Sequence, residues 1–226
     1  MRTVALILAM ACLVPAPGGS LAGIRQCGDP LLAVQATSDA LADRACTAAT
    51  AAKALLLSCG LVQTDPITIE VVAAARHPSF GDCLAVFDQR TGCLQVTELD
   101  RLTALLPAGD ARAALPPEVL FSAAITHELA HALLRQSAGK TQVAATEQEF
   151  VASALEMESL DPKWRDLLLQ SHPVRPPGSL GLVTLSIYAL DPRAFANNAW
   201  VVFDQRAMGC TLVRKITEGR FRFPRH

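Results

Sequence analysis

Two histidines one helical turn apart with a glutamate between them, in the run His127-Glu128-Leu129-Ala130-His131, constrain this chain more than any other feature. Side chains at i and i+4 share a face only on a helix, so both imidazoles can converge on one ion if this segment is helical. Glu128, one residue round from His127, then stays free to handle a proton. The surroundings agree with a helix. Pro117 suits a first helical position, Leu120, Ala123, Ala124, Leu133 and Leu134 recur at helical spacing, and Gly139 offers a stop, which predicts a helix over Pro117–Ser137. Coincidence is a poor explanation: with five histidines in 226 residues, random placement gives roughly 0.004 such matches per chain.

A catalytic zinc takes three protein ligands and keeps a position open, so a third donor is required. The stretch from Thr146 to Glu156 reads as a second helix, with Thr146 as N-cap and Glu149 in the capping-box position. Three carboxylates compete there. Glu147 fits a solvated first-turn carboxylate favoured by the helix dipole, which leaves Glu149 and Glu156.

His-Glu-x-x-His followed by a glutamate eighteen positions after His131 resembles the gluzincins, the thermolysin-like branch of the zinc peptidases built on the zincin core. That resemblance implies Zn2+ held by His127, His131 and Glu149, with Glu128 as general base. The family's Glu-x-x-Ala-Asp pattern is met by Glu149-Phe150-Val151-Ala152-Ser153 except at its last place. Ser153 there is a weaker, uncharged acceptor for a ligand histidine, and Glu156, one turn on, is the substitute within reach. A downstream Tyr or His that stabilises the oxyanion is implied as well, and Tyr188 is the one tyrosine in the chain. No third histidine follows at metzincin spacing. His77, His172 and His226 have no ligand spacing to the motif and read as loop or surface residues.

The N-terminus has the layout of a secretory signal peptide, with Arg2, an apolar run from Val4 to Val14 and small residues up to Ala22. The apolar run is too short to span a bilayer, so the expectation is a periplasmic or secreted chain with no stable membrane insertion after cleavage. Cleavage removes Cys12 and leaves Cys27, Cys46, Cys59, Cys83, Cys93 and Cys210, for which three disulfides are the expectation. A net charge of −1 without a basic, aromatic-interleaved stripe argues against nucleic acid as a partner.

Apolar patterning outlines the rest. Pro30 to Ser58 is rich in Ala and Leu, free of Gly after the proline and followed by Gly60, which predicts one long helix. Ile67–Val72 alternates like a strand, and the runs Cys83–Phe87 and Cys93–Thr97 read as a hairpin with Phe87 opposite Cys93 and Cys83 opposite Thr97. The expected fold class is α+β, zincin-like: a small twisted sheet with an edge hairpin, packed on a metal-binding helix and a glutamate helix. The expected organisation is a signal segment over 1–22, a core over 23–171 and a smaller C-terminal lobe over 172–226. The resemblance makes Cys93–Thr97 the candidate edge strand for peptide binding. The echo of Val86-Phe87-Asp88-Gln89-Arg90 in Val202-Phe203-Asp204-Gln205-Arg206 is read as repeated turn chemistry or as a trace of paired hairpins.

The functional expectation is an exported zinc metallopeptidase, a hydrolase acting on peptide or protein substrates. The alternatives are a catalytically silent zincin-fold binding or assembly protein of the cell envelope, with structural zinc or none, and a zinc hydrolase of another amide such as a cell-wall linkage.

Overall fold

The computed structural model describes residues 23–79, 81–205 and 209–224; the expected signal segment, Cys12 and His226 lie outside them. Five strands form a mixed sheet in the order β1 (Arg25–Gln26), β2 (Leu32–Gln35), β3 (Ile67–Val72), β7 (Cys93–Thr97), β6 (Ala85–Asp88). The inner three run parallel and each outer strand is antiparallel to its neighbour. The short strands β4 (Ala75–His77) and β5 (Gly81–Cys83) pair separately. With its helices, this makes the chain an α+β protein.

The expected helix over Pro30–Ser58 is two elements. Leu32 and Val34 are fully buried in β2, and helix α1 begins only at Asp39, where the Ser38 hydroxyl accepts the Leu41 N–H at 3.3 Å. A strand inside a parallel sheet is apolar on both faces, so its residues lack the alternation that separates a strand from a buried helical segment. From Asp39 to Ser58 the helical reading holds. Ala42, Ala45, Ala49, Ala52 and Leu56 bury one stripe, and small side chains there let α1 lie close to α2 (Pro117–Ala138).

The β6–β7 hairpin is present, but its register differs by one residue. Asp88 pairs with Cys93 and Phe87 with Leu94, while Cys83 belongs to β5 and pairs with Ala75. The cause is the turn: Asp88 accepts the Arg90 N–H at 2.8 Å, and Gly92, at φ 72°, donates its N–H back to the Asp88 carbonyl at 2.8 Å. Asp88 is thereby the last strand residue instead of the first of the loop. A slip of one exchanges the two faces of a strand. The edge assignment changes as well, because β7 lies between β3 and β6, and β6 is the exposed margin.

Helix α2 covers β6 and β7, and α3 (Ala145–Glu158) packs on α2. Helix α3 starts one residue before Thr146, at Ala145, with Ala144 as an N-cap that has no side chain to donate or accept. Glu147 is buried, not solvated: its Oε1 accepts the Phe223 N–H at 2.8 Å and so ties the C-terminal segment to α3. Beyond residue 160 follow α4 (Pro162–Ser171), α5 (Leu185–Leu190), α6 (Pro192–Gln205) and α7 (Gly209–Thr217). Phe195, Ala199, Val202 and Phe203 of α6 join the same hydrophobic cluster as Leu129, Leu133, Phe150 and Leu155. The sequence echo is not a structural repeat, since Val86–Asp88 is strand and Val202–Gln205 is helix.

Two disulfides brace the described residues. Cys27–Cys46 fixes the end of β1 to α1, and Cys59–Cys210 ties the end of α1 to the start of α7 across 151 positions. Cys93 is not a free thiol. Cys83 is free, so three bridges among the six expected cysteines do not form; burial pushes its thiol up to about 11. Among the described residues, no helix is long and apolar enough to cross a membrane.

Candidate metal centre

Helix α2 carries His127 and His131 on the face turned toward α3, and the regular i to i+4 spacing brings their Nε2 atoms to 3.2 Å. Glu149, on the second turn of α3, meets them from the facing helix: its Oε2 is 3.6 Å from His127 Nε2 and its Oε1 is 3.7 Å from His131 Nε2. These three residues place one ligand atom each within 4.8 Å of one another. Ligands on a tetrahedral zinc at about 2.05 Å lie about 3.3 Å apart; the imidazole pair at 3.2 Å is close to that value, and each imidazole faces a different oxygen of Glu149. Glu149 Oε2 is buried and accepts no hydrogen bond. Such an atom costs stability unless it meets a cation or donor, and the donor set of two imidazoles and one carboxylate suits zinc.

Electrostatics argue for positive charge at this point. Burial disfavours a charged His127, yet the carboxylates of Glu149 and Glu156 outweigh it and hold the imidazole well above its usual value. Burial and the charge on His127 lower His131. Glu149 is also opposed by burial, but the facing imidazoles and the Tyr188 hydroxyl hold its carboxyl down at about 2. The two carboxylates thus favour positive charge beside the imidazoles, which a divalent ion can supply.

The acceptor for His127 is Glu156. Its Oε2 is 2.9 Å from His127 Nδ1, while Ser153 is buried in α3 and, among the described residues, makes no hydrogen bond to either ring. The carboxylate selects the tautomer that turns Nε2 toward His131 and Glu149. Arg193 of α6 stands 3.8 Å from the other oxygen of Glu156. Arg112, paired with Asp110 at 2.6 Å, adds positive charge from the far side. Sequence patterning gave no sign of either arginine, because both reach the site from segments with no motif of their own.

Glu128 points to the sheet. Its Oε2 accepts the backbone N–H of Phe87 at 2.8 Å, a donor on the outer side of β6. Tyr188 lies on the short helix α5, not in a strand, and stacks edge-on against Phe195 with ring centroids 5.2 Å apart. Burial, and after it the charge of Glu149, push its phenol above the usual range. His77 sits at the end of β4, and the half-exposed His172, 3.5 Å from Asp191, caps the end of α4; neither joins the centre.

A family match covers residues 32–226, which includes every one of these groups. The chain belongs to DUF6639, a family of unknown function. No curated protein and no solved structure matches it. The DUF6639 match begins at β2 and runs through the sheet, the α2–α3 pair and the C-terminal helices, so the metal cluster and the residues that brace it fall within one family unit.

Proposed function

We propose that this DUF6639 protein is an exported zinc metallopeptidase. The observation that carries the reading is the convergence of His127, His131 and Glu149 on one point, with the carboxylate of Glu128 fixed beside it by the β6 edge. His127, His131 and Glu149 hold the ion, and Glu156 orients His127. Zinc in such a set supplies a Lewis acid that polarises a carbonyl and brings the pKa of a water to about 7.

Glu128 takes a proton from the attacking water and delivers it to the leaving amine nitrogen as the C–N bond breaks, so water is consumed and an acid and an amine result. A positioned general base of this kind contributes about 10² to 10⁴ in rate. Tyr188, whose hydroxyl faces Glu149, would turn its O–H from that carboxylate to the developing oxyanion. β6 is the end strand that extended peptide can join through the main-chain groups of its outer side other than the Phe87 N–H, which Glu128 occupies. Two disulfides and the residue pattern before Gly23 support export.

Glu128→Gln tests the reading. The expected result is full zinc content with chelator-sensitive cleavage of a mixed peptide library reduced at least 100-fold. Stoichiometric zinc in the unsubstituted chain with no cleavage of peptides or muropeptides supports instead a zincin-fold binding protein of the envelope.

A further inference from the structure

Next to the metal ligands a polar hollow of about 470 Å³ is walled by the last turn of α2, the 139–144 connection, the start of α3 and Gln89 of the β6–β7 turn. Its charged lining residues are Arg135, Lys140 and Arg222, and no Asp or Glu lines it. Among the described residues none of the three forms an ion pair. Arg222 donates to the Gln142 carbonyl at 3.3 Å, which fixes it at the rim. Three cations without counter-charge along a concave wall concentrate anions there.

The hollow is a separate cavity from the metal centre, but the same two helices supply both. Arg135 follows His131 by one turn on α2, and Gln148 directly precedes Glu149 on α3. Gln89 Nε2 donates to Gln148 Oε1 at 3.1 Å, joining the hairpin turn to the same wall. One helical turn advances about 5.4 Å and an extended peptide about 3.3 Å per residue. Arg135 is thus one helical turn from a ligand, a span that one to three residues of extended peptide can bridge.

We propose that this hollow is a substrate subsite for a carboxylate, either the free C-terminus of the peptide or an Asp or Glu side chain, one to three residues from the bond that is cut. The inference rests on the peptidase reading and narrows its substrate class. Arg135 presents a planar fork that matches a carboxylate bidentately, and Lys140 and Arg222 add charge around it.

The test measures binding, not turnover. Fluorescein-labelled Ala-Ala-Phe-Leu-Ala-Ala is prepared with a free C-terminus, amidated, and amidated with Asp as the last residue. Each is titrated by anisotropy into the zinc-loaded Glu128→Gln chain, with and without the added substitutions Arg135→Gln, Lys140→Gln and Arg222→Gln. At least one acid-bearing peptide is expected to bind about tenfold tighter than the neutral one, with the stronger of the two revealing which carboxylate is read. In the charge-removed chain that preference falls to parity while the neutral peptide binds as before, which also reports an intact fold. Equal affinities for all three peptides, or a preference that survives removal of the three cations, overturns the subsite and leaves the peptidase reading standing. Failure of every peptide to bind, the neutral one included, overturns both.

Discussion

The backbone N–H of Phe87 and the carboxylate of Glu128 are joined by a 2.8 Å hydrogen bond, which ties the margin of the sheet to the residue between the two histidines. A donor fixed in the main chain positions that carboxylate with no side-chain entropy cost. On the proposed peptidase reading, substrate alignment and base position would both depend on the four-residue strand β6.

Phe87→Pro deletes this donor together with the phenyl ring, and Phe87→Ala deletes the ring but keeps the donor. The N–H points away from β7, and proline is tolerated on an edge strand where no ladder bond is lost. The expected outcome is unchanged zinc content with kcat lowered about tenfold or more, and near-normal kcat in Phe87→Ala, which retains the N–H. Steady-state kinetics with metal analysis decides it; undiminished kcat in Phe87→Pro shows that the bond does not position the base.

Glu156 substitutes for the acidic acceptor that Ser153 cannot supply. Replacing it by Gln keeps the shape but removes the charge facing His127 Nδ1 at 2.9 Å. Zinc affinity is expected to fall about 10- to 100-fold, as read by competition with a chromophoric chelator, whereas Ser153→Ala leaves it unchanged. The reverse ranking contradicts the assignment of Glu156 as the orienting group.

Glu70 gives a prediction about stability. It is 3% exposed in the middle of the sheet, where its Oε2 accepts from Gln95 at 3.0 Å, and burial raises its carboxyl above the ordinary 4.5. A raised pKa means the folded chain holds the proton more tightly than the unfolded one. That contribution is fully present below 4.5 and is lost as pH rises through the folded value. Glu70→Gln keeps the hydrogen bond without the charge. It is expected to raise the melting temperature at pH 7 by about 2–4 °C for about 1 kcal/mol, and the gain should shrink toward zero at about pH 4. A gain that does not change between these pH values contradicts the account.

What the sequence made legible was local. The two proline and glycine punctuation marks around His127 and His131 place α2 within one residue of its observed end, because helix signals lie in neighbouring side chains. The same reasoning merged β2 into α1, since burial on both faces is a property of the sheet and not of the segment. The hairpin was visible while its register was not, as one hydrogen bond from Gly92 to Asp88 sets it. Glu149 was reachable through spacing and resemblance. Arg112, Arg193 and the Phe87 N–H were not, because each arrives at the centre by tertiary packing. Thr146 and Glu147 show the opposite failure: a correct helix with its N-cap displaced by two residues, from Thr146 to Ala144, and a buried clasp on Phe223 read as a solvent-facing charge.

The central claim is that one zinc ion joins α2 to α3. Elemental analysis of the purified chain after dialysis against zinc-buffered solution measures this directly, alongside His131→Ala and Glu149→Ala. One zinc per chain is expected in the unsubstituted protein, with an affinity weaker by at least about 100-fold when either ligand is removed. Zinc binding that is absent from the unsubstituted chain, or equally tight in both variants, contradicts it.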